Sequence, residues 1–218
     1  MNKRSESIEE YLEAVFKLER TPGEVTVKRL AEDRGVAPSS VSQMMTRLGA
    51  EDLVCRTATG GIELTAAGRV EAAGLVRRHR LSERFLVEYL DMPWDQVHDE
   101  ACKFEHVLSP EVEARLAEQL GNPLTCPHGH AIPDEHGLLT EDVTRPLAEA
   151  QAGDQMTIAY ISDEQPDLLR YLGTLGLLPE TVVDVEGVAP FGGPFLVRVC
   201  GAQYALGREV AGKIFVRD

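Results

Sequence analysis

Gly35 is the residue that most restricts how this chain folds. It stands between two short stretches of helical periodicity: Val27–Arg34, with Leu30 and Ala31 facing inward, and Pro38–Ala50, with Val41, Met44, Met45 and Leu48 apolar. A helix, a short glycine-containing turn and a second helix make the helix-turn-helix pattern. The flanking residues agree with it. Thr26 suits the N-cap of the first helix, Pro38 the first turn of the second, and Ser39 and Ser40 its N-terminus. A helix over about residues 7–19 comes before the pair and stops at Pro22-Gly23. Residues 53–56 and 62–64, joined by a turn rich in Gly and Thr, read as a two-stranded wing.

Further helices are expected at 66–89 (capped by Thr65, with Val70, Leu75, Leu81, Phe85 and Leu86 in the apolar pattern), 95–108 and 110–120. Residues 122–138 are irregular and rich in Pro, Gly and His. From Gln155 the texture changes. Residues 157–161, 181–187, 196–200, 203–206 and 212–216 read as short strands, and only 168–175 looks helical. The expected fold is mainly α with small β parts. Its domains are a winged helix-turn-helix at 1–72, a helical domain at 73–145 and a small β-barrel-like domain at 150–218.

The net charge of −14 looks unsuited to nucleic acid, but it is unevenly spread. Residues 1–80 carry 13 Lys+Arg and 12 Asp+Glu, a net of +1, whereas residues 81–218 carry 9 and 24, a net of −15. The helix-turn-helix part can therefore approach phosphate through a local cationic face. No long apolar run or leader-like N-terminus is present, so a cytoplasmic protein with no membrane partner is expected. The four scattered cysteines form no disulfide framework.

All six histidines lie between His79 and His136, among carboxylates and two of the four cysteines. The spacings are those of metal ligands: His79-x₃-Glu83, then His98-x₃-Cys102-x₂-Glu105-His106, then Cys126-Pro-His128-Gly-His130. On a helix advancing ~100° per residue, His98, Cys102, Glu105 and His106 share one face about 100° wide. Mixed N, O and S donors disfavour Ca²⁺ and Mg²⁺ and favour Mn²⁺, Fe²⁺, Co²⁺, Ni²⁺ or Zn²⁺.

The chain resembles the diphtheria toxin repressor/MntR family of metal-dependent transcriptional repressors. The residues that carry the resemblance are Ile8-Glu9-Glu10-Tyr11-Leu12, Pro38-Ser39-Ser40-Val41-Ser42-Gln43, the stretch from His79 to Arg84, and the stretch from Val97 to His106. It covers essentially the whole length and implies that the helical domain dimerises and that the C-terminal domain is SH3-like, similar to FeoA. It also implies a primary metal site of Glu10, His79, Cys102, Glu105 and His106, with Glu13 as a further candidate. A second site would use Glu83, Cys126, His128 and Asp163, with His98 as the alternate donor. His130 stands where the family's pattern leads one to expect Asn. The carboxylate of Glu10 suits Mn²⁺ and the thiolate of Cys102 suits softer ions. Mn²⁺ is expected first and Fe²⁺ second, with up to two ions per subunit and no organic cofactor. A metal held by both Glu10 and the dimerisation helices would tie the DNA-binding domain to the dimer core. That would fix the separation of two recognition helices on a palindromic DNA operator.

Gln43 is the first candidate for a base contact, Ser39 and Ser40 for phosphate or bases, and Arg47 and Arg56 for the backbone. Three other readings compete. A metalloenzyme lacks support, because there is no HExxH motif and the donors nearly saturate an ion. A winged-helix regulator answering an organic effector would leave the metal structural. A partner-binding C-terminal domain would be dispensable for the response to metal and DNA.

Overall fold

Thr26 accepts a hydrogen bond from Arg29 N at 3.2 Å, and Gly35 turns at φ +62° with its N–H on the carbonyls of Ala31 and Glu32. These local contacts start and stop helix α2 (Val27–Arg34), and the positive φ is the reason glycine stands there. The computed structural model describes residues 6–140 and 142–218. It divides into two compact units, Met1–His79 with Pro133–Leu139, and Arg80–Ile132 with Thr140–Asp218.

The first unit contains α1 (Glu6–Leu18), α2, α3 (Pro38–Ala50), the hairpin β1 (Val54–Arg56) and β2 (Ile62–Leu64), and the first half of α4 (Ala66–Leu90). One core joins Leu12, Val15 and Phe16 of α1 to Leu30, Val41, Leu48, Ile62 and Val76. Each such side chain stabilises the unit by roughly 1.5–3 kcal/mol on burial. The wing is pinned from a distance in sequence. Thr57 Oγ1 donates to Glu24 Oε1 at 2.8 Å, Ile62 N to Val25 O at 2.9 Å, and Leu64 N to Glu19 Oε1 at 2.8 Å. Met45 is buried and Met44 packs against the core. Val70 departs from the expected apolar stripe of α4, being 60% exposed.

The second unit contains the rest of α4, α5 (Val97–Glu105), α6 (Pro110–Gln119) and an antiparallel sheet. The strands of that sheet are β3 (Arg145–Pro146), β4 (Gln155–Ile161), β5 (Val182–Val188), β6 (Phe195–Val199), β7 (Ala202–Leu206) and β8 (Ile214–Arg217), in the order β3-β8-β4-β5-β6-β7. Helix α7 (Pro166–Thr174) and the short α8 (Arg208–Ala211) complete a core that includes Leu169, Leu172, Val185, Phe195, Val197 and Ile214. Trp94 of the helical part packs against this core, and Arg170 of α7 pairs with the buried Asp95 at 3.0 Å. Sequence periodicity missed β3 and α8. It also drew α5 longer than its nine residues, because the Pro93–Gln96 turn delays its start.

Candidate metal centre and nucleic-acid interface

Among the described residues, the second unit carries the densest collection of ligand-type side chains. α4 supplies Glu83, which is fully buried, and α5 supplies His98. The loop of residues 122–132 supplies Cys126, His128 and His130, and the segment after β4 supplies Glu164.

The loop is folded to present these groups. Cys126 N donates to His130 O and Gly129 N to Cys126 O, both at 2.9 Å, and Thr125 bridges Ala131. Arg84 Nε donates to Thr125 O at 2.7 Å, Arg80 to Ala131 O, and Ile161 N of β4 to His128 O at 3.0 Å. Gly129 lies so close to β4 that a Cβ there would sit 2.0 Å from Ala159 O.

Within the cluster, His98 Nδ1 is 2.7 Å from Glu164 Oε2 and 3.6 Å from Glu83 Oε1. His128 Nδ1 is 3.3 Å from Glu83 Oε1 and 3.7 Å from Glu164 Oε1, and His130 Nε2 is 3.4 Å from Glu164 Oε1. His128 Nε2 donates to Trp94 O at 2.8 Å, while its buried Nδ1 makes no hydrogen bond. An imidazole held by one N–H on a backbone carbonyl and aiming its other nitrogen at carboxylates is arranged as a metal ligand.

The electrostatics agree. Hydrogen bonding with Cys102, then with Glu164 and Glu83, pushes His98 up to about 12 against the opposing effect of burial. Burial works against a charge on His128, but Cys126 and Glu83 push it up to about 11. Burial takes His130 down to about 4. Burial and the charge of Glu83 oppose ionisation of Glu164, yet His98, His130 and His128 hold its carboxyl well below the usual range. Two imidazolium charges thus balance two buried carboxylates, and a divalent cation performs the same neutralisation while displacing the protons. The donors present therefore fit a first-row divalent ion.

The structure does not bring Asp163 into this cluster. Its Oδ2 takes Lys213 Nζ at 2.9 Å and its Oδ1 accepts from Gln165 N at 3.1 Å, while its neighbour Glu164 reaches the histidines. Nothing in the sequence distinguishes two adjacent carboxylates in a loop beyond the end of a strand, where alternation no longer sets direction.

The other expected metal ligands are distributed between the units. In the second, α5 brings Cys102 Sγ within 3.8 Å of His98 Nε2, and places the buried Glu105 with Oε1 3.4 Å from His106 Nε2. In the first, Glu10 of α1 pairs with Arg34 of α2, Glu13 pairs with Lys17 at 2.9 Å, and His79 of α4 is buried. Arg34 is a competitor for Glu10 that the sequence did not reveal. Ser39, Ser40 and Gln43 are exposed on the N-terminal half of α3. Arg47 is exposed beside Glu51 at 3.4 Å, and Arg56 is exposed on the wing with Nη1 on Gly60 O at 3.0 Å.

Comparison with known proteins gives a consistent result. Residues 3–62 match the iron dependent repressor N-terminal DNA binding domain, residues 65–134 the iron dependent repressor metal binding and dimerisation domain, and residues 145–218 the FeoA domain. The iron-dependent repressor IdeR of Mycobacterium tuberculosis is 33% identical over 229 residues, covering 99% of each chain. The diphtheria toxin repressor of Corynebacterium diphtheriae is 35% identical over 143 residues, 65% of this chain and 63% of its own. A solved manganese-dependent transcriptional repressor, in complex with manganese, matches with a TM-score of 0.89 at 36% identity, over 96% of this chain and 98% of its own. These relatives are transcriptional repressors, not enzymes.

Proposed function

Because this chain belongs to the diphtheria toxin repressor family of metal-dependent transcriptional repressors, we propose that it senses Mn²⁺ and represses metal-uptake genes, binding palindromic operators as a homodimer. Fe²⁺ is the alternative. The observation that carries the reading is the buried cluster around Glu83, whose carboxylates and imidazoles outnumber its single thiolate. The relative solved with manganese, and the carboxylate at Glu10, also support Mn²⁺. The iron-dependent relatives support Fe²⁺.

The primary ligands in this reading are Glu10, His79, Cys102, Glu105 and His106, on their spacing and on the family resemblance, with Glu13 as a further candidate. The second site uses Glu83, Cys126 and His128, with Glu164 in place of Asp163 and with His98 beside them. A bound ion supplies fixed positive charge and a fixed coordination geometry. This biases the protein toward its DNA-competent arrangement to the extent that the ion binds that arrangement more tightly. No helix of the described residues is long and apolar enough to cross a membrane, which supports action in the cytoplasm.

The test is binding to a metal-transporter promoter fragment, first in chelator and then with Mn²⁺, anaerobic Fe²⁺ and Zn²⁺ titrated separately. Metal-dependent binding with the lowest midpoint for Mn²⁺ is expected. Equal binding in chelator and in metal rejects metal sensing. A lower midpoint for Fe²⁺ moves the assignment to iron.

On the DNA side, Gln43 reads a base and Ser39, Ser40, Arg47 and Arg56 contact the backbone. Gln43→Ala is expected to flatten preference at one base pair per half-site by about 1–3 kcal/mol, as measured by competition among operator variants. Unchanged preference at every position removes Gln43 from base readout.

A further inference from the structure

We propose that the cluster around Glu83 binds two metal ions, with the Glu83 and Glu164 carboxylates shared between them, so that a fully loaded subunit holds three ions with the primary one. This rests on the metal-sensing function proposed above. Glu83 belongs to two donor sets. Its oxygen lies within 4.8 Å of ligand atoms of Cys126 and His128 in one set, and of His98 and Glu164 in the other. Glu164 divides its oxygens in the same sense: Oε2 lies 2.7 Å from His98, while Oε1 faces His128 at 3.7 Å and His130 at 3.4 Å. A carboxylate whose two oxygens face different imidazoles is disposed to bridge, and two-metal sites place their ions roughly 3.5–4 Å apart.

One ion takes His98 Nδ1 and one oxygen from each carboxylate, and water completes its coordination. The other takes His128 Nδ1, Cys126 Sγ and the carboxylates, with His130 Nε2 beside it. His128 Nδ1 is the independent pointer to an ion: it is fully buried, makes no hydrogen bond, and is aimed into the cluster by the Nε2–H on Trp94 O. The two sets differ in character. The His98 side is all nitrogen and oxygen and suits Mn²⁺, while the Cys126 side adds a thiolate and accepts softer ions.

The test counts ions with Mn²⁺ alone. Equilibrium dialysis of the unsubstituted protein, with metal analysis, is expected to give three ions per subunit. Low-temperature electron paramagnetic resonance is expected to show a spin-coupled pair beside one isolated ion. In a Glu105→Gln/His106→Ala background, whose fold is checked by circular dichroism, two coupled ions remain. Adding His98→Ala or Cys126→Ala leaves one uncoupled ion. A total of two in the unsubstituted protein, or an uncoupled spectrum at saturation, overturns the proposal. Operator binding is measured on the same samples. Metal-independent DNA binding defeats the regulatory reading, whereas metal-dependent binding with a count of two defeats only the paired site.

Discussion

Glu105→Gln is expected to bring DNA binding in saturating Mn²⁺ down to the level seen in chelator. The loss should be at least about the 10–100-fold associated with disturbing a metal site's supporting shell. Glu105 is 2% exposed on α5 and lies 3.4 Å from His106, with Cys102 on the preceding turn. Gln keeps the shape of the side chain and removes the charge, so the variant loses an anionic oxygen for the metal while the packing of α5 survives. Circular dichroism and thermal unfolding should therefore match the unsubstituted protein. A variant that folds and retains full metal activation would remove Glu105 from the primary site. His79→Gln offers the same comparison at a ligand on another helix.

Gly129→Ala is expected to be nearly as damaging, for a different reason. Gly129 has φ +90°, and a methyl group there would meet Ala159 O at 2.0 Å and Tyr160 Cα at 2.7 Å. The backbone conformation alone costs a non-glycine residue about 1–3 kcal/mol, and the clash is with a strand that cannot withdraw cheaply. The loop should lift from β4, break the Ile161–His128 hydrogen bond and carry Cys126, His128 and His130 out of register. The readouts are a lowered melting temperature and the loss of ions from the second site, with the primary ion retained. Native stability together with full metal loading would show that the loop is not held as described.

Where local chemistry decides structure, the sequence is easily read. The bounds of α2 and α3 follow from Thr26, Gly35 and Pro38, each acting within a few residues of itself. The winged domain, the helical segment and the β-rich C-terminal segment follow from changes in apolar period. Long-range pairing is not legible in the same way. Glu24 ties the wing from more than thirty residues away, and Arg34 pairs with Glu10 across two helices. The choice of Glu164 over Asp163 depends on how the chain leaves β4 and on the Lys213 ammonium that captures Asp163. His130 looks incidental as a sequence letter, but its ring stacks on Tyr160 at 4.8 Å, and Tyr160 in turn stacks on Phe215 at 4.6 Å. Two short elements, β3 and α8, are only two and four residues long, too brief for any periodicity to register.

Trp94 gives the molecule a property that none of its ligands has. It is the chain's single tryptophan, its ring centroid lies 5.7 Å from that of His128, and its carbonyl anchors the same imidazole. Indole emission is sensitive to a neighbouring imidazolium and to a nearby paramagnetic ion. The protein therefore carries an intrinsic optical gauge of the second site, which can be followed in real time without a label.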